Sequence, residues 1–189
     1  AVAVYAHFRK IAQSSEDGVP IIKSTVLMIG PPGTGKTLMC ETLSHGLSVP
    51  FVTAEATSIA QTRYVNEEID AILQRLVDKA DGDIARAQNG IVFIDEIDKL
   101  KANTAKPGGV SGESVQHALL KIMEGAPVKI GTGRYIDTTD ILFICGGAFV
   151  GIDEIMSQTH SFGFIATSQA DSQRILNRLN TRIKPTDLF

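Results

Sequence analysis

The strongest chemical signal in the chain is the run Gly30-Pro31-Pro32-Gly33-Thr34-Gly35-Lys36-Thr37. It fits the phosphate-binding loop pattern, Gly-x4-Gly-Lys-Ser/Thr, in full. Its glycines let the backbone curl until successive N–H groups face inward, which is how a main-chain cradle holds phosphate oxygens. Lys36 supplies a point charge for the β- and γ-phosphates of a nucleoside triphosphate, and the Thr37 hydroxyl suits Mg²⁺. The nucleotide-binding candidates are therefore Pro32, Gly33, Thr34, Gly35, Lys36, Thr37 and Leu38, the last through at most its backbone N–H. A second signal closes the apolar run Ile91-Val92-Phe93-Ile94 with Asp95 and Glu96. Asp95 is suited to hold Mg²⁺ through a water. Glu96 is suited to polarise the water that attacks the γ-phosphate. Alone, such a pair is more often a solvated acidic turn, and Glu96-Ile97-Asp98-Lys99 continues the charge pattern. Behind a complete phosphate loop it reads as the other half of an ATP and Mg²⁺ site, with Lys36 and Glu96 as the catalytic residues.

These groups need elements to place them. Thr25-Val26-Leu27-Met28-Ile29 is a short strand-forming run that ends at the loop, and a helix is predicted from about Lys36 to Leu47. The helix N-terminus thus points its positive end at the phosphates. Phe51-Val52-Thr53-Ala54 reads as a second strand, Ile91 to Ile94 as a third and Ile141-Leu142-Phe143-Ile144 as a fourth, ended by Gly146-Gly147. The third and fourth runs are continuous and apolar, as expected of strands buried on both faces. Residues 1 to 12 read as a helix with Val4, Phe8 and Ile11 on one face, followed by a polar turn from Ser14 to Pro20. Ile69, Ile72, Leu73, Leu76 and Ala80 recur at helical spacing and predict an amphipathic helix over Glu67 to Lys79. Ser111 to Glu124 is a further helix with Val115, Leu119, Ile122 and Met123 inward. Val128 to Ile136 suggests a hairpin turning at Gly131-Thr132-Gly133, and Lys101 to Gly112 is the longest loop. Strands alternating with helices give an α/β P-loop NTPase fold, a parallel sheet with helices on both faces.

Composition narrows the rest. The 189 residues carry 18 Lys plus Arg against 21 Asp plus Glu, a net charge of −3, with 43% hydrophobic and 21% charged residues. That balance speaks against a whole-protein electrostatic grip on nucleic acid. No apolar run approaches the length of a membrane span. Cys40 and Cys145 lie far apart in apolar segments, so they read as small buried residues and not as a zinc site. A reducing compartment is the simpler setting. The chain opens on Ala1 without a recognisable leader and is expected to be a piece of a longer protein.

Beyond a generic ATPase, Ile91-Val92-Phe93-Ile94-Asp95-Glu96-Ile97-Asp98-Lys99 resembles the second nucleotide motif of AAA+ ATPases of the ClpX and HslU type. Ser111-Gly112-Glu113-Ser114-Val115-Gln116-His117-Ala118-Leu119-Leu120-Lys121 and Ile141-Leu142-Phe143-Ile144-Cys145-Gly146-Gly147-Ala148-Phe149 resemble the ClpX pattern, as does the opening Ala1-Val2-Ala3-Val4-Tyr5. The resemblance covers nearly the whole chain. It implies that residues 1–189 are the large AAA+ domain of a ClpX-type unfoldase, without the zinc-binding and small helical domains. It also implies a homo-hexamer that spends ATP to unfold protein substrates and thread them into a ClpP-type peptidase. The setting would be the bacterial cytoplasm or an organellar matrix, with no nucleic acid or membrane as partner.

By the same resemblance, Tyr64 and Val65 match the pore-loop pair that grips substrate, and Phe162-Gly163-Phe164 matches the peptidase-docking loop. The chain departs from the family at two places. Arg63 and Asn66 stand where the family has glycines beside the pore pair, which implies a stiffer, partly cationic loop. The segment from Gly125 to Asp137 is shorter than in ClpX proteins and lacks their Arg-Lys-His cluster. Cys145 stands where many AAA+ proteins place a polar γ-phosphate sensor. Arg174, Arg178 and Arg182 form a basic stripe that reads as a solvated face. The arginine that reaches a neighbouring subunit's site is expected beyond Phe189, so the chain alone should hydrolyse ATP slowly. Two other functions compete on the same fold: a nucleic-acid motor, and a nucleotide-binding scaffold without motor activity.

Overall fold

The apolar runs assemble into one parallel sheet. The structure, a computed structural model, describes residues 2–17, 25–62, 64–103, 112–131 and 133–149. Two compact units divide the chain, Ala1–Ala148 and Phe149–Phe189, and the fold described is that of the first. Strands β1 (Val26–Ile29), β2 (Phe51–Glu55), β3 (Ile91–Asp95) and β6 (Leu142–Gly147) lie in the order β1-β6-β3-β2, all parallel. β3 and β6 are central, and Ile91 to Ile94 and Leu142 to Cys145 are buried. That explains why both runs are apolar without alternation. β1 is only partly buried, as befits a strand at the sheet's margin.

Helix α1 spans Val2–Asp17 and α2 Lys36–Leu47. One face of the sheet meets both, through a cluster of Val4, Cys40, Ile91, Phe93, Leu142 and Ile144. Helix α4 (Val65–Lys79) buries Ile69, Ile72, Leu73 and Leu76, and α6 (Gly112–Glu124) buries Val115, Leu119, Ile122 and Met123. The helical spacing read from the sequence thus marks the buried faces. A hairpin of β4 (Pro127–Ile130) and β5 (Arg134–Asp137) turns where the glycines predict, with Ile130 and Ile136 buried. Thr138 ties the hairpin to α6: its hydroxyl donates to the Ile122 carbonyl at 2.7 Å and accepts from the Ala126 N–H at 3.0 Å.

The structure corrects several boundaries. Helix α1 continues to Asp17, through residues expected to begin a turn, because no Gly or Pro interrupts the chain before Gly18. Two short helices, α3 (Ala56–Gln61) and α5 (Ile84–Gln88), were not expected; neither is long enough to establish a period. Asp83 starts α5 by accepting the Arg86 N–H at 3.1 Å. The expected loop after Lys101 begins as a 3-10 helix over Ile97–Asn103. Gly146 and Gly147 do not end the fourth strand but belong to it, paired with Met28 and Ile29.

Candidate nucleotide site

Strand β1 delivers the chain into the phosphate loop, and the Gly30 N–H anchors the loop's start by donating to the Gly147 carbonyl at 3.1 Å. Gly35, immediately before α2, is left-handed at φ 78° and ψ 24° and offers no side chain to cap the helix. The first N–H groups of α2 therefore have neither an intrahelical partner nor a side-chain cap, and the residues that carry them, Lys36, Thr37 and Leu38, line a hollow. Lys36 Nζ donates back to the carbonyls of Gly30 at 2.8 Å and Pro31 at 3.0 Å, which holds the ammonium over the loop. The Thr34 hydroxyl closes the turn by donating to the Pro31 carbonyl at 2.9 Å.

Parallel pairing brings the acids to the same place. Because β3 and β6 run in register beside β1, Asp95 and Glu96 emerge at the end of the sheet where the loop stands. A cavity of about 390 Å³ is lined by Pro32, Gly33, Thr34, Gly35, Lys36, Thr37 and Leu38 from the loop and by Asp95 and Glu96 from β3. The structure therefore gathers every phosphate-loop and acid candidate around one hollow. Asp98, Lys99, Gly147 and Ala148 complete the lining. Of these, Asp98 and Lys99 stand in the charge run and the second motif, and Gly147 and Ala148 in the run after the fourth strand, but the sequence singled out none of them as a site residue.

Glu96 is held more firmly than the sequence suggested. It is a non-glycine residue at φ 60°, a left-handed conformation that concentrates at functional sites. Its N–H donates to Asp95 Oδ1 at 2.8 Å, and its carbonyl accepts the Lys99 N–H at 3.0 Å. One carboxylate oxygen pairs with Lys99 Nζ, and the other accepts the Thr57 hydroxyl at 3.0 Å. Lys99 above all, with help from Thr57, holds the Glu96 carboxyl below the usual carboxylate range; partial burial pushes the other way and does not prevail. Nothing in the sequence flagged Thr57, which α3 brings to Glu96 from another part of the chain. The hard oxygen donors of Thr37 and Asp95 in one cavity are the chemistry Mg²⁺ favours.

The remaining candidates are distributed differently. Tyr64 is exposed while Val65, the first residue of α4, is buried, so the pair offers solvent one side chain and not two. Asn66 lies in α4, and Arg63 is outside the described residues. Phe162, Gly163 and Phe164 and the stripe of Arg174, Arg178 and Arg182 also lie outside the described residues. Both cysteines are buried. Burial pushes the Cys145 thiol up to about 12 and, as the largest of its causes, the Cys40 thiol to about 11, so both act as small apolar residues. No described helix is long and apolar enough to cross a membrane.

A parallel sheet whose strand ends bring a phosphate-loop motif to an acidic pair defines a P-loop nucleotide-binding domain. A family model described as AAA domain (Cdc48 subfamily) matches residues 22–186, and the chain belongs to that family. It is 44% identical over its whole length to the ATP-dependent Clp protease ATP-binding subunit ClpX of Treponema denticola, covering 49% of that protein. It is 41% identical over its whole length to the protein of the same name from Porphyromonas gingivalis, covering 50% of it. It is also 42% identical over 94% of its length to a ClpX 2 of Wolinella succinogenes, covering 48% of that protein. The ClpX resemblance carried by the motifs is borne out by these matches. The chain spans about half the length of the curated relatives it matches.

Proposed function

We propose that residues 1–189 form the large, ATP-hydrolysing domain of a ClpX-type protein unfoldase. The reading is carried by one observation: the uncapped start of α2, Lys36, Thr37, Asp95 and Glu96 all border the same cavity. The backbone N–H groups of the loop bind and orient the triphosphate. Lys36 transfers its ammonium from the Gly30 and Pro31 carbonyls to phosphate oxygens. Thr37 and Asp95 would hold Mg²⁺, which when bound neutralises phosphate charge and polarises the γ-phosphate. Glu96 orients the attacking water and takes up its proton. Thr57 and Lys99 hold both of its oxygens, so its carboxylate is kept ionised.

The similarity to ClpX proteins supports a wider reading. The full-length protein works as a homo-hexamer that unfolds protein substrates for a ClpP-type peptidase in a cytoplasmic or matrix compartment. Tyr64 touches the translocating polypeptide, and Phe162-Gly163-Phe164 docks on the peptidase. Calorimetric titration of the chain with ATP and Mg²⁺ should give a saturable heat that Lys36→Ala removes. Glu96→Gln should keep that heat and abolish turnover in the full-length protein. No heat at millimolar ATP from folded chain, or turnover that survives Glu96→Gln, would overturn the proposal.

A further inference from the structure

Gly146 lies in β6, buried, on the sheet face that also carries Phe93 and Asp95 of β3. A Cβ built on Gly146 would stand 2.7 Å from Phe93 Cζ and 2.9 Å from Asp95 Oδ1. Both distances are shorter than real Cβ contacts. The backbone of Gly146 is ordinary extended strand without a positive φ, so its conformation does not call for glycine. The demand is for space. The crowded atom on the Asp95 side is the same Oδ1 that accepts the Glu96 N–H at 2.8 Å. This oxygen is therefore confined between the Glu96 backbone and the bare surface of β6. A side chain at 146 would push the carboxylate away from that surface and disturb its hold on Glu96.

We propose that Gly146 is a positioning residue for the metal site: its missing side chain sets the place of the Asp95 carboxylate. The inference rests on the reading of Asp95 as a Mg²⁺-holding residue. It concerns an oxygen whose displacement affects metal affinity and leaves the phosphate cradle alone, because Gly146 is not among the residues that line the nucleotide cavity. The Phe93 ring is the competing cause of any effect, and it can be separated by shortening that ring.

The test compares the 189-residue chain with Asp95→Asn, Phe93→Leu, Gly146→Ala and Gly146→Ala/Phe93→Leu. Three quantities are read: the Mg²⁺ concentration giving half-maximal ATP binding, ATP affinity in EDTA, and the urea midpoint. Loss of a group that holds a metal's own ligands typically weakens metal affinity by about 10–100-fold; Asp95 is read as holding Mg²⁺ through a water, so displacing its carboxylate should raise the Mg²⁺ midpoint of both Gly146 variants at least to the lower end of that range. ATP affinity in EDTA should not change, and Phe93→Leu alone should leave the Mg²⁺ midpoint where it is. Recovery of the wild-type Mg²⁺ midpoint in the double variant would show that Gly146 only makes room for the ring, and the inference fails. Failure of the double variant to fold counts against it in the same way. If Asp95→Asn leaves the Mg²⁺ midpoint unchanged, the reading of Asp95 fails and the inference goes with it.

Discussion

Gly35→Ala isolates the conformational cost of the phosphate cradle. At φ 78° and ψ 24° a Cβ on Gly35 meets nothing within 4 Å, so the penalty owes nothing to neighbouring atoms. What remains is the backbone preference of an L-residue against the left-handed region, about 1–2 kcal/mol. Alanine also narrows the unfolded ensemble, which offsets about 0.4–1 kcal/mol. If the loop keeps its shape without ligand, unfolding free energy should fall by about 0.5–1 kcal/mol, or roughly 1–4 °C in Tm. If the empty loop instead relaxes, stability holds and ATP must restore the strained shape, which weakens binding by about 5–30-fold. The cost must appear in one place or the other. Urea unfolding with and without Mg·ATP reads both, because a ligand stabilises the fold by RT ln(1 + [L]/Kd). Asparagine tolerates the left-handed region better, so Gly35→Asn should recover part of the loss. A Gly35→Ala chain that matches the wild type in both stability and affinity would refute the left-handed cradle as a requirement of the site.

Three further outcomes are expected. Burial lifts the Cys145 and Cys40 thiols to about 12 and about 11 from an ordinary 9.0, so unfolded thiols ionise first. Their contribution to stability is complete below pH 9 and is lost as pH rises through the folded values, at about 1.4 kcal/mol per thiol per pH unit; replacing both by Ala should flatten the alkaline decline of the urea midpoint, and an unchanged slope would contradict the assignment. Tyr64→Ala should change stability by no more than about 0.5 kcal/mol and leave ATP binding intact while full-length protein loses substrate degradation, whereas Val65→Ala should cost about 1–2 kcal/mol in urea unfolding; undiminished degradation by Tyr64→Ala would remove it from the pore. Thr138→Val strips the Ala126 N–H of its side-chain acceptor, and calorimetric unfolding should show a loss of about 1–3 kcal/mol.

The sequence by itself determined the elements whose signals are local. A phosphate loop is a contiguous run, so Pro32 to Leu38 could be read without knowing where the chain goes next. The helical spacing of Ile69, Ile72, Leu73 and Leu76 and the unbroken apolar runs of β3 and β6 likewise fix burial through each element's own period. Tertiary structure decided what depends on residues far apart in the chain. Thr57 meets Glu96 only because α3 packs beside the end of β3, and no spacing rule links the two positions. Val65 looked like the companion of Tyr64, but the first turn of α4 aims it into the core while its neighbour stays in solvent. Gly146 and Gly147 looked like a strand terminator because glycine usually weakens strands. Only the parallel pairing of β6 with β1 and β3 shows the reason for Gly146: Phe93 and Asp95 already fill the space its side chain would need.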